Sequence, residues 1–130
     1  MKRLSQILFL LVAIVLVACK GNPKDLIARK WSVDVEASKK QNEKEGRNIS
    51  DKDIQMFQEL KFDFQKDGVL ELSVLDQKLK GTWSISDDGK KLKMKVGGDE
   101  KEEEIEILEL SKTKMVGKGK KQTLVLKPAD

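Results

Sequence analysis

From residue 30 onward, apolar and polar positions alternate with a period of two over most of the chain. Trp31, Val33 and Val35 share one side of a first segment, with Lys30, Ser32, Asp34 and Glu36 on the other. The same alternation recurs in Leu60, Phe62, Phe64, then in Leu70, Leu72, Val74, then in Leu79, Gly81, Trp83, Ile85. It returns in Leu92, Met94, Val96, in Ile105 and Ile107, and in Leu124 and Leu126. A period of two puts one face in a core and the other in water. Short strands at intervals of about 8 to 12 residues, with turn residues between them, predict an antiparallel barrel or sandwich.

The turns set the register. In Ser86-Asp87-Asp88-Gly89-Lys90-Lys91, an Asp88-Gly89 type I′ turn pairs Ile85 with Leu92, Trp83 with Met94 and Gly81 with Val96. Ser84 then meets Lys93, and Thr82 meets Lys95, on the wet face. A slip by one residue would set Trp83 against a lysine, so one register is strongly preferred. At Lys66-Asp67-Gly68, a three-residue loop with Gly68 left-handed pairs Phe64 with Leu70, Phe62 with Leu72 and Leu60 with Val74. Gly81, on the inner face, is read as leaving room beside Trp83.

Two stretches break the alternation. Residues 39–48 are polar throughout and are expected to form a loop. The segment Ser50 to Gln58 predicts a short helix capped by Ser50, with Ile49 stapling onto Ile54 and with Asp51 and Asp53 at the positive end of the dipole. Ile54 and Phe57 on that helix would lie over one barrel opening, as a lid on a ligand site or as a plug on a small core.

The first residues follow other rules. Lys2 and Arg3 precede an uninterrupted apolar run of eleven residues, Ile7 to Val17, and the only cysteine, Cys19, follows Ala18. A membrane-spanning helix needs about 20 apolar residues, so this run is short for one. A basic start, a short apolar centre and a small residue before a cut site are the parts of a secretory signal. One cysteine makes no disulfide within the chain, and there is no histidine to complete a zinc site. Leu16-Val17-Ala18-Cys19 resembles the lipobox of bacterial lipoproteins. The resemblance implies cleavage before Cys19 and acyl chains, palmitate among them, on its sulfur and new amino group. Each buried methylene contributes about 0.8 kcal/mol, and one chain alone is only marginally retained on a bilayer. Lys20 after the cysteine resembles lipoproteins sent to the outer membrane. The expected organisation is residues 1–18 as signal peptide, 19–25 as a lipidated tether and 26–130 as the folded domain. Gly21 and Pro23 are read as keeping the tether non-helical.

Charge adds little once the leader is set aside. Of 26 basic side chains, Lys2 and Arg3 go with the leader, leaving 24 against 22 acidic ones. That balance, without a basic stripe interleaved with aromatics, excludes a nucleic-acid partner. The remaining 112 residues suffice for one modest core.

A second resemblance rests on short motifs. A tryptophan on the first strand, F-x-F-x-x-D-G over Phe62 to Gly68, and G-x-W-S-I followed by D-G-K over Gly81 to Lys90 resemble bacterial lipocalin-like lipoproteins. It covers most of residues 26–127, although Arg29-Lys30-Trp31 departs from the G-x-W of relatives. It implies an all-β, antiparallel up-and-down barrel of about eight strands with one short helix before the second strand, and an apolar pocket. Fold alone names no ligand.

Catalytic chemistry is poorly provided for. With no histidine and no tyrosine, a base near neutrality would have to be a retuned carboxylate. The dense acidic run, Asp99 to Glu104, alternates into Ile105 and Ile107 and reads as the wet tip of a hairpin. It is expected to face Lys112, Lys114, Lys118, Lys120 and Lys121, opposite charges on neighbouring strands being favourable. Its oxygens could also suit calcium. Gly97-Gly98 and Gly117-x-Gly119 lack the strand-to-helix setting of a phosphate loop and read as turns. The expectation is a non-enzyme without cofactor or metal. It is held on a membrane through Cys19 and binds a small apolar or amphipathic ligand among Trp31, Ile54, Phe57, Phe62, Leu72 and Trp83. The alternative is a cell-envelope scaffold whose barrel is filled by its own side chains.

Overall fold

A computed structural model describes residues 22–97 and 101–129. The signal-peptide and lipidation expectations, including Cys19, lie outside the described residues. Eight strands form a closed up-and-down barrel in which each strand pairs antiparallel with the next and the last returns to the first. They are β1 (Lys30–Val33), β2 (Leu60–Phe64), β3 (Val69–Val74), β4 (Gln77–Ile85), β5 (Lys91–Val96), β6 (Glu103–Leu110), β7 (Met115–Lys118) and β8 (Thr123–Pro128). Closure gives every strand two neighbours.

Both sequence-derived registers hold. Phe62 stands opposite Leu72 and Phe64 opposite Leu70, while Trp83 faces Met94 and Gly81 faces Val96. Gly68 has φ of 90° in the three-residue loop, as its position requires. The β4–β5 turn differs from expectation. Only Gly89, at φ 73°, is left-handed there, and Ser86 N–H donates to Lys91 C=O at 2.9 Å across a four-residue loop. Ser86 Oγ donates to Asp88 Oδ1 at 2.6 Å and accepts from Lys91 N–H at 3.0 Å. Asp88 Oδ1 also accepts from Lys90 N–H at 3.0 Å. These side-chain bonds replace the innermost ladder pair. The Ser86 hydroxyl, then the Lys90 N–H, hold the Asp88 carboxyl below its ordinary value.

Among the described residues, three helices accompany the barrel, where one was expected. α1 (Pro23–Ile27) starts inside the supposed tether, with Asn22 Oδ1 accepting from Lys24 N–H at 3.0 Å and Pro23 in the first turn. Proline suits that place because its missing N–H would be unpaired anyway. α2 (Val35–Lys44) replaces the end of the expected first strand and most of the expected loop. Asp34 caps it, accepting from Ala37 N–H at 3.1 Å, so Val35 belongs to a helix and not to β1. α3 (Asp51–Glu59) is the expected helix, with Ser50 Oγ accepting from Asp53 N–H at 3.2 Å.

α2 is nearly all polar, and what it buries is polar too. Beyond Val33, β8 has lost its β1 partner, and two α2 side chains take over. Asn42 Nδ2 donates to Thr123 C=O at 2.7 Å and Asn42 Oδ1 accepts from Thr123 N–H at 2.9 Å. Ser38 Oγ accepts from Val125 N–H at 2.8 Å, and Val125 C=O accepts from Asp34 N–H at 2.8 Å. Asn42 and Ser38 thus act as a surrogate strand and satisfy backbone groups that burial would otherwise make costly.

Gly81 has a different purpose from the one read in the sequence. A Cβ there would lie 1.9 Å from the Lys95 carbonyl oxygen, so the glycine lets β5 approach closely. Gly117 lies within β7 and not in a turn, and a Cβ on it would meet Ile105 Cγ2 at 2.8 Å. The acidic start of β6 pairs with β5 and not β7, through Lys91–Glu104 at 3.5 Å and Lys93–Glu102 at 3.8 Å. β6 begins at the β5–β6 connection, which brings those carboxylates beside the outward lysines of β5.

Candidate functional site

The up-and-down order gives the barrel two ends. Turns 65–68, 86–90 and 111–114 gather with α1 at one end. The α2–α3 connection, the Leu75-Asp76 turn and the β5–β6 and β7–β8 connections gather at the other.

The first end is sealed. Ile27, Trp31, Phe64, Leu70, Trp83, Leu92 and Met115 are buried in one cluster. Phe64 meets the Trp83 ring edge-on at 5.4 Å and stacks with Phe62 at 5.9 Å. Such pairs add about 0.5 to 1.5 kcal/mol beyond their burial. Both indole N–H groups are engaged, Trp31 Nε1 donating to Ile27 C=O at 2.9 Å and Trp83 Nε1 to Gln65 C=O at 2.8 Å. The Arg29 guanidinium lies 5.4 Å above the Trp31 ring and donates to Lys112 C=O at 2.7 Å. A base is tightly packed here without the glycine of G-x-W.

The second end is open. Leu72, Val74, Val96, Ile105 and Leu124, all inward by phase, are only partly buried. Leu79 pairs with Leu72 on the same inner face and is still 49% exposed. α3 packs against β1, β3 and α2. Phe57 reaches down into the buried cluster, Ile54 is half-buried and Met56 is 43% exposed. The helix therefore combines the two roles weighed for it: its Phe57 fills, and its body roofs one side of the mouth. At the Leu75-Asp76 tip, Leu75 adopts φ of 56° and is 74% exposed. Leucine rarely takes that backbone region.

The six expected ligand residues are thus divided. Trp31 and Trp83 belong to the sealed base, with their polar atoms spent on backbone. Phe62 is buried midway, on the Trp31–Phe62–Leu72 ladder. Phe57 is buried in the core beneath α3, and Ile54 and Leu72 remain at the mouth. Leu79, Val96, Ile105 and Leu124 join them there and were not singled out, because alternation reports which face a residue takes and not its height along the barrel axis. Polar groups reach this rim at Glu103, exposed and opposite Met94, and at Lys78, which pairs with Glu71 at 3.6 Å. The arrangement is an apolar floor with charge only at its edge. That suits an aliphatic chain with a polar head.

Asp99 and Glu100 of the acidic tip lie outside the described residues, and Glu102 and Glu104 are engaged by lysines. Among the described residues, no group of three acidic side chains is placed to hold a metal ion. Thr123 Oγ1 donates to Glu45 Oε1 at 3.1 Å, and Lys118 Nζ lies 3.7 Å from the same oxygen, which ties the end of α2 to β7 and β8. No family model, curated protein or solved structure matches the chain.

Proposed function

We propose that this protein is a lipocalin-like lipoprotein of the bacterial cell envelope, anchored through lipid on Cys19, most readily in the outer membrane, and that it binds a small apolar or amphipathic ligand at the mouth of its barrel without catalysis. The observation that carries the binding reading is Leu79, an inward position opposite Leu72 that is still half exposed to water. Covering such surface yields about 25 cal/mol per Å². The filled base and the apolar Leu75 tip favour a second reading, a scaffold that offers its loops to an envelope protein.

A titration with a fluorescent fatty acid separates the two. The wild-type protein should give saturable binding, Leu79→Asp and Ile54→Asp at the mouth should weaken it, and Ser84→Asp on the outer wall should not. Leu79→Asp should leave the urea midpoint within about 0.5 kcal/mol of wild type, since its side chain is half in water already. Absence of saturable binding across fatty acids and lysophospholipids would favour the scaffold. For the anchor, mass spectrometry of the membrane fraction should find a lipidated Cys19 peptide, and an unmodified thiol on soluble protein would contradict it.

A further inference from the structure

The chain enters the fold at the sealed end. Pro23 packs on the β4–β5 turn, with its Cγ 2.8 Å from where a Cβ on Gly89 would be, and Ile27 closes the base beneath Trp31. Three residue steps separate Asn22 from Cys19. Even fully extended they span about 11 Å, at 3.3 to 3.6 Å per residue. β4 alone runs nine residues from mouth to base, about 27 Å along the strand and about 19 to 22 Å along the barrel axis at the usual tilt. A tether that short cannot bring the mouth to the bilayer that holds the lipid.

We infer that the protein stands base-down: the sealed end faces the headgroups of its anchoring membrane and the mouth is directed away from it. This rests on the lipid-anchor reading of Cys19. The side chains of the two ends agree with the assignment. The base-end loops at 65–68, 86–90 and 111–114 consist of Gln, Lys, Asp, Ser, Thr and Gly, with no apolar side chain to push into a hydrocarbon layer. With α1, those loops present Lys24, Lys66, Lys90, Lys112 and Lys114 against Asp25, Asp67, Asp87 and Asp88. That near-balance suits contact with a zwitterionic headgroup layer, held by the anchor more than by charge. Of the exposed large apolar side chains among the described residues, Met56, Leu75 and Leu79 lie at the opposite end, and Leu108 lies at the bulge within β6. If insertion of apolar side chains set the orientation, the mouth would be the buried end, and the tether length forbids this for the anchoring bilayer. Ligand therefore reaches the mouth from the aqueous side and not by lateral entry from the lipid beneath.

The test uses lipid-anchored full-length protein in phosphatidylcholine vesicles containing brominated lipid. One fluorophore is attached at Lys66→Cys in the β2–β3 turn or at Asp76→Cys in the β3–β4 turn, and Cys19, blocked as a thioether, does not compete. Unfolding midpoints equal to wild type establish that both variants fold. The Lys66 label should be quenched several-fold more than the Asp76 label, at low and at physiological salt alike. Equal quenching, or stronger quenching at position 76, on protein that floats with the vesicles would overturn the orientation while leaving the anchor standing. Protein that does not float with the vesicles would overturn the anchor reading and this inference with it.

Discussion

The base and the mouth of this barrel are built from the same alternation and come out opposite in character. At the base, two tryptophans and Phe64 interlock, α1 adds Ile27, and the indole N–H groups end on backbone carbonyls. At the mouth, the lining is aliphatic and incompletely covered, and the helix above it is secured in the core through Phe57. One strand carries both conditions: on β4, Trp83 is buried and Leu79, four residues away on the same face, is half in water. A position's phase thus decides its face, while its height decides whether it is structural or available.

The sharpest way to break that contrast is to place the same charge at both heights. Trp83→Lys should cost several kcal/mol, since it removes the aromatic contact with Phe64 and buries an ammonium without a partner. Leu79→Lys should change the urea midpoint by no more than about 0.5 kcal/mol. Ser84→Lys, outside the wall, should be equally quiet. Comparable losses at 83 and 79 would mean that the mouth is packed like the base.

The next largest effect concerns the seam where β8 leaves β1. Asn42→Ala should destabilise by about 2 to 3 kcal/mol, because the Thr123 N–H and C=O lose their partner in a buried setting. Hydrogen exchange should then accelerate at Thr123 and Val125 before it does at Trp83. If exchange at β8 were unchanged, α2 would not be completing the barrel.

These outcomes bear on what could be read from the residues alone. Both long hairpin registers were legible because Gly68 and Gly89 punctuate alternating runs whose slips would bury lysines. α2 was not, since its buried stripe is Ser38 and Asn42: hydrophobic periodicity is blind to a helix that buries hydrogen bonds in place of methyl groups. Its cap, Asp34, and that of α1, Asn22 followed by Pro23, are local signals that could have revealed both helices. The turn at 86–90 was misjudged because Ser86 and Asp88 close it with side chains, and Gly81 because its need arises from Lys95, fourteen positions away. Of the six ligand candidates, the two tryptophans fell in the base, and Phe62 and Phe57 were taken up by the core. Bulk marks where a small barrel fills itself.

The smallest expected effect is on the base turn. Asp88 is held below its ordinary value of 3.8, so its contribution to stability is present above that value and is lost as pH falls through the lowered one. Asp88→Asn should therefore lower the unfolding midpoint slightly at neutral pH, and the difference from wild type should shrink below about pH 4 as the wild-type carboxyl protonates. A difference that persists undiminished in acid would place the stabilisation in something other than the carboxylate.

Nuclear magnetic resonance during a fatty-acid titration tests the two-ended barrel most directly. The two tryptophans supply two indole N–H signals from the base, and Leu79, Val96, Ile105 and Leu124 supply methyl signals from the mouth. The account predicts that the methyl signals shift progressively with ligand while both indole signals stay fixed. Shifted indoles with unmoved mouth methyls would place the ligand in the base and contradict it.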